Sequence, residues 1–438
     1  MTFSPAPVDV LGIGVGPFNL GLAALLEPLI DKGELTACFV DSRSKFQWHP
    51  GAMFSDATIQ VPFLADLVTM ADPTSPYSFL NYLKLNSRIY PFYIRESFYP
   101  YRTEYSDYCA WVADQLNYVS WNCPVERVRR AADGFWEVTV GGPKPQTHKA
   151  RHLVNGTGTE PTVPEDWGTI NPSEGVLHSS EFLPHEDMVR NSRSVTIVGS
   201  GQSAAEIYRR LMEDFAAKGT RLDWFTRSPR YFPMEYTALT LEMTSPDYVR
   251  HFHSLPEKRR DELNRTQRNL YKGISGDLID DIYDTLYRLS LSTPLVGDLR
   301  PDVNVRPANP SAPITDGSNG RHRLEVVDQE TGRTGVHATD VVILATGYGR
   351  PQIPKHLAGI EELNRDEAGR MAVTREFTVN DARDLFVVNA EEHTHSLNAP
   401  DLGMGAWRNS IIINQICGRD VYPVEKSTVF QRFGGEGL

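Results

Sequence analysis

Two glycine constellations carry the most legible chemistry. In VDVLGIGVGPFNLGLAALL, residues 8–26, Gly12, Gly14 and Gly16 follow a short apolar run and open a helical pattern. Glycine lets the backbone approach a pyrophosphate, and a helix N-terminus adds partial positive charge there. Pro17 stands where a third glycine is usual, so packing of helix on strand falls to Gly16 and Asn19. The next strand pattern, TACFVDS, ends on Asp41, placed to accept hydrogen bonds from a ribose. Its charge would repel a 2′-phosphate, so this turn suits FAD or NAD rather than NADP. In VTIVGSGQSAAEIYRRL, residues 195–211, Gly199 and Gly201 repeat the arrangement, with Ala204 small where helix meets sheet. The strand that follows ends in WFTRSPR. Arg227 stands where an acid would mark NAD, and Arg227 and Arg230 can pair with a 2′-phosphate, which favours NADPH.

Two cradles of different preference imply a held flavin and a visiting hydride donor. A reduced flavin passes electrons to a disulfide, a quinone or dioxygen. Cys38, Cys109, Cys123 and Cys417 lie far apart without a CxxC, which weakens both a disulfide reductase and a zinc site. ATGY, ending at Tyr348, is the strand-end pattern by which flavoprotein monooxygenases return from the NADPH domain to the FAD domain.

These turns need sheets and helices to hold them. The order strand, glycine turn, helix, strand occurs twice, which predicts an α/β protein with two doubly wound, Rossmann-like domains. The FAD-binding domain is expected over 1–175 and 340–438, and the NADPH-binding domain over 176–234 and 296–339. The charged, helical 235–295 stretch reads as a small insertion contributing to the substrate site, and 307–323 as a loop. A chain of 438 residues accommodates two or three domains, and 40% hydrophobic content suits a soluble enzyme. The net charge of −12, without a long basic run, argues against nucleic acid as a partner. No run approaches the ~18 apolar residues of a membrane span, and the first residues lack a signal-peptide pattern, so the expected compartment is the cytoplasm.

GIGVGPFNL, QWHPGAM, PYSFLNYL, GSGQSAAE, ATGY and NAEEHTHSLNAPDLGMGAWRNS occur in that order. Together they resemble the microbial flavin-dependent N-hydroxylating monooxygenases of siderophore biosynthesis, across nearly the whole chain. The family contains lysine, ornithine and diamine hydroxylases, and RYFPMEYTALTLEMTSPDYVRHFHSLP is closer to the lysine and diamine branch. The resemblance implies FAD and NADPH as cofactors, a C4a-hydroperoxyflavin as oxidant, a primary amine and O2 as substrates, and a homotetramer. It implies Trp48, His49 and Gln60 beside the flavin ring, Gln202 and Ser203 in the nicotinamide-nucleotide turn, and Gly403 and Met404 as a C-terminal cover of the flavin. No catalytic side chain is expected beyond flavin chemistry. His393 and His395 have the spacing of a metal pair but no evident third ligand, so no metal is expected.

One departure from the family bears on the substrate. In IQVPFLADLVTMADPTSPYSF the family usually carries a lysine, which pairs with the α-carboxylate of an amino-acid substrate; here that position is Ala65. A buried carboxylate without a partner costs several kcal/mol, so the loss favours cadaverine or putrescine over lysine or ornithine. The distal ammonium of a diamine then needs an anion, for which Glu392 is the first candidate and Glu391 the second. Tyr271 and Lys272, in YKGIS, are further substrate-side candidates; Lys272 is the cation that would rescue lysine as substrate. Other readings are a carbon- or sulfur-oxygenating flavoprotein monooxygenase and a non-catalytic nucleotide-binding redox sensor.

Overall fold

The computed structural model describes residues 6–349 and 352–434. Residues 1–5, part of the N-terminal stretch read above, and Arg350 and Pro351, which follow ATGYG, lie outside the described residues. The Val8–Ile13 strand pairs in parallel with Ala37–Val40 on one side and Gln146–Asn155 on the other. Its last four residues are buried, as an apolar run in a central parallel strand predicts. Val119–Ser120 extends the sheet beyond Ala37–Val40, and Leu385–Val387 joins in parallel on Gln146–Asn155. Trp136–Val140 and Val125–Arg130 continue it antiparallel. The Pro17–Asp31 helix starts with Gly16 as its cap and Pro17 at the first position, where a missing N–H costs nothing. Its Leu22 and Leu26 share a core with Tyr105 and Val112 of Arg102–Gln115 and Ile412 of Gly405–Cys417.

The second sheet is wholly parallel, in the order Leu299–Arg300, Arg221–Phe225, Ser194–Val198, Val341–Leu344, Val176–His178. This corrects the expected boundary at residue 340. Val341–Leu344 belongs to the second sheet, between Ser194–Val198 and Val176–His178. All four of its residues are buried, and a uniformly apolar strand carries no mark of which sheet it joins. The Gln202–Lys218 helix lays Ile207, Leu211 and Phe215 on this sheet. Each such burial contributes about 1.5–3 kcal/mol. A three-stranded antiparallel sheet, Val303–Pro307, His322–Asp328 and Thr334–Thr339, stands beside it. Pro307, His322 and Arg323 therefore lie in strands, not in the expected loop.

The 235–295 stretch is helical but is not one unit. Gly276–Ser290 buries Ile282 against the core of the second sheet. Tyr248 and Phe252, from Pro246–Ser254, instead pack on Leu397 near the C-terminus. Both helices are amphipathic, and their apolar faces found different partners. Among the described residues no helix is long and apolar enough to cross a membrane.

Candidate active site

The two glycine turns open on one cleft of about 2150 Å³ between the sheets. Gly14 has a φ of +82°, and a Cβ there would stand 2.7 Å from the Gly156 carbonyl oxygen. Only glycine suits that position. Gly16 faces open space, with nothing within 4 Å of a notional Cβ, and it lines the cleft with Pro17. Gly199 has a φ of +154° and would press a Cβ to 2.2 Å from the Ala345 carbonyl oxygen. Gly201, Gln202 and Ser203 line the cleft beside it. Both turns thus leave backbone, at the start of a helix, as the surface presented to a ligand. That is the cradle a dinucleotide pyrophosphate requires, so the residues present fit FAD and NADPH.

Three residues of these turns work within the fold. Gly12 lies within its strand, off the cleft, where a Cβ would strike the Phe39 ring at 2.1 Å; its smallness serves packing. Asn19 is buried and donates from Nδ2 to the carbonyls of Ile13, Gly14 and Val154, so it ties turn to sheet. Gln202 donates to Glu206 at 2.8 Å and accepts from the Ser275 N–H at 2.8 Å, which occupies its amide.

Asp41 lines the cleft and accepts the Val15 N–H at 2.7 Å. Arg43, not foreseen from the sequence, donates to both its oxygens at 2.8–2.9 Å. Burial opposes the charged carboxylate, but the Arg43 and Val15 bonds prevail and hold its pKa below the usual range. Trp48, His49, Gln60 and Tyr348 line one region of the cleft. His49 has a φ of +47° and meets the Tyr348 ring edge-on at 5.4 Å. Burial, then the charges of Arg102 and Arg43, push its pKa down, so the imidazole is neutral at neutral pH. Gln60 lies near Tyr236 with its buried Nε2 free of any hydrogen bond of good geometry. An unpartnered buried donor facing a cleft suits a ligand acceptor. Arg102 lines the same cleft and bridges the two domains through a bidentate pair with Glu206 at 2.6–2.8 Å.

At the end of Arg221–Phe225, Arg227, Ser228 and Arg230 line the cleft, with the Arg230 guanidinium 4.4 Å from the Phe232 ring centre. Also on the cleft, Glu392 accepts from the Tyr271 hydroxyl at 2.5 Å and from Lys272 at 2.9 Å. Glu391 is fully buried against Arg408, off the cleft, which removes it as a ligand for substrate. Gly403 and Met404 also lie behind the cleft surface; Pro400, Asp401 and Leu402 form it. Of the HTH pair, the His393 Nε2 meets the Met371 carbonyl at 2.8 Å and His395 stacks on Phe377.

The acid that sequence reasoning missed is Asp401. It is half-buried, faces the cleft and accepts the Gly403 N–H at 2.7 Å. Burial pushes its pKa up to about 6, against the pull of the Gly403 N–H and Arg408. Ala65 is buried behind it, off the cleft. A signal was available: Asp401 is an acid immediately before a glycine-rich helix start in the otherwise uncharged SLNAPDLGMGAW.

The sequence profile of L-lysine 6-monooxygenase/L-ornithine 5-monooxygenase matches residues 6–350. The chain is 42% identical to a putrescine N-hydroxylase from Shewanella oneidensis, over 97% of this chain and 84% of that protein. It superposes on the FAD-bound cadaverine monooxygenase of desferrioxamine biosynthesis from Erwinia amylovora with a TM-score of 0.92 and 42% identity, covering 99% and 100% of the two chains. An ornithine N-hydroxylase from Kutzneria, solved with reduced FAD, NADP⁺ and L-ornithine, gives a TM-score of 0.83 at 30% identity, over 94% and 99%.

Proposed function

The chain belongs to the L-lysine 6-monooxygenase/L-ornithine 5-monooxygenase family, and from that membership we propose that it N-hydroxylates one amine of an aliphatic diamine, cadaverine or putrescine, for a hydroxamate siderophore. In each turnover R–NH2, O2, NADPH and H⁺ give R–NHOH, NADP⁺ and H2O. Bound FAD, reduced by NADPH, supplies the electrons that activate dioxygen.

The chain's own residues bind, orient and exclude water. The Gly14–Gly16 turn and the Asp41–Arg43 pair would hold FAD, and Trp48, His49 and Gln60 would flank its ring. The Gly199–Gly201 turn and Ser203 would hold NADPH, and Arg227 and Arg230 would supply the positive charge for its 2′-phosphate. Neutral His49 neither repels a cationic substrate nor takes part as an acid. The attacking amine must shed its proton, and a cleft walled by Trp48, Leu397 and Leu402 favours the neutral form by desolvation.

The observation that carries the diamine assignment is Asp401. A carboxylate in the cleft wall receives an ammonium and repels an α-carboxylate. Lys272, the cation the sequence offered for an α-carboxylate, is already engaged by Glu392 at 2.9 Å. Glu392, the first candidate from sequence, is correspondingly neutralised. The Shewanella putrescine N-hydroxylase and the Erwinia cadaverine monooxygenase act on diamines by name, in keeping with this reading.

The cytoplasm, where NADPH is regenerated, is the proposed compartment. A homotetramer is the proposed assembly, supported by an exposed apolar face of Tyr90, Tyr93, Ile94 and Phe98, each 68–76% exposed. The test is NADPH consumption by the yellow holoenzyme: diamine should stimulate it, with a matching yield of hydroxylamine. Stimulation by ketones or thioethers alone, or protein without flavin, contradicts the proposal.

A further inference from the structure

Arg408, on the Gly405–Cys417 helix, and Glu391 are both buried, with Arg408 Nε 3.2 Å from Glu391 Oε1. A buried ion pair seldom improves stability over apolar residues of equal volume, so its placement calls for another explanation. Arg408 touches three segments that border the cleft. Its Nη2 donates to the carbonyls of Asn398 and Ala399, at 3.1 and 2.7 Å, just before Asp401. Its partner Glu391 precedes Glu392, which holds Tyr271 and Lys272. Its guanidinium lies 4.6 Å from the ring centre of Phe18, in the first turn of the helix that opens at the dinucleotide cradle.

We infer that the Arg408–Glu391 pair is a positioning element for substrate selection: it fixes the 398–401 turn that presents Asp401 to the cleft and sets the field in which that carboxylate meets the diamine. This rests on Asp401 being the substrate's anion. The geometry gives the two partners opposite electrical effects. Arg408 stabilises the ionised Asp401. Glu391 offsets part of that stabilisation by neutralising Arg408 at contact distance. The other charged groups around Asp401 are tied elsewhere. Asp66, next to Ala65, is held by the N–H groups of Val68, Thr69 and Phe79 and by the Thr69 hydroxyl. Lys272 and Glu392 satisfy one another. His49 is neutral, and His395 is pushed well below its usual pKa by burial.

The experiment measures kcat/KM for putrescine against pH, per bound flavin, in the wild-type holoenzyme and in Glu391→Gln, Arg408→Met and Asp401→Asn. Glu391→Gln should move the acid limb down by about 0.5–1 pH unit, and Arg408→Met should move it up. A merely structural pair would move both in the same direction, or lower activity without moving the limb, and either result overturns the inference. If Arg408→Met does not fold, Glu391→Gln decides alone: a downward shift supports the inference, and no shift or an upward one overturns it. Asp401→Asn separates the two claims. If it keeps the wild-type KM and acid limb, the anion assignment itself fails, whatever the other variants do.

Discussion

Ala65 Cβ and Asp401 Oδ1 lie close to one point: they are 3.7 and 3.0 Å from where a Gly403 Cβ would stand. A longer cationic side chain at residue 65 would therefore reach the carboxylate. Ala65→Lys should place its ammonium on Asp401 and compete with the substrate's own. We expect kcat/KM for cadaverine and putrescine to fall by about tenfold or more, the equivalent of ~1.4 kcal/mol. Steady-state hydroxylamine formation measures it; unchanged diamine turnover would separate Ala65 from selectivity.

Asp401 also predicts a trade between stability and binding. Its folded pKa of about 6 lies above that of an unfolded aspartate, so the folded state binds the proton more tightly. The fold loses stability as pH rises from the unfolded value through about 6, and above that the cost is full. Asp401→Asn should remove a cost of order 1–3 kcal/mol and raise Tm at neutral pH without substrate. At pH 4 the gain should vanish. Diamine affinity should fall in the same variant, which calorimetry with reduced, anaerobic enzyme can follow.

Much of this was legible from residue order, and the parts that were not share a physical cause. Gly14, Gly16 and Gly199 were readable because a turn that must present bare backbone admits few residue types. Gly12, Asn19, Gln202 and Glu391 were placed near the cleft, but spacing does not say what fills a side chain's hydrogen bonds. Asn19 and Gln202 are spent on fold contacts, Glu391 on Arg408. Arg102 gave no signal because its partner, Glu206, lies 104 residues away and is joined to it only by the fold; Arg43 stands two residues from Asp41, but spacing does not show that its guanidinium turns back onto the carboxylate. Val341–Leu344 was readable as a strand but not as a member of the second sheet, since its neighbours come from distant sequence.

Arg227 predicts nucleotide selectivity. Arg227→Gln should weaken NADPH by about 1–3 kcal/mol through loss of a charge-assisted bond to the 2′-phosphate, and NADH far less. Anaerobic flavin reduction over a range of nucleotide concentrations reads both constants. Equal losses for the two nucleotides would assign the phosphate to another group.

Gly14 predicts the cost of closing the first cradle. Gly14→Ala combines a left-handed φ with a 2.7 Å approach to the Gly156 carbonyl oxygen. The purified variant should carry less FAD per chain and melt at a lower temperature, and excess FAD should only partly restore it. Visible absorbance against protein content checks the first, and a melt with added FAD the second.

The central claim is that this cleft takes a diamine. The most direct measurement is kcat/KM for hydroxylamine formation with cadaverine, putrescine, L-lysine and L-ornithine under identical conditions near pH 8. Both diamines should exceed both amino acids by about a hundredfold or more, because an α-carboxylate would enter a wall that holds the Asp401 carboxylate. Lysine or ornithine hydroxylated more efficiently than both diamines would contradict the account.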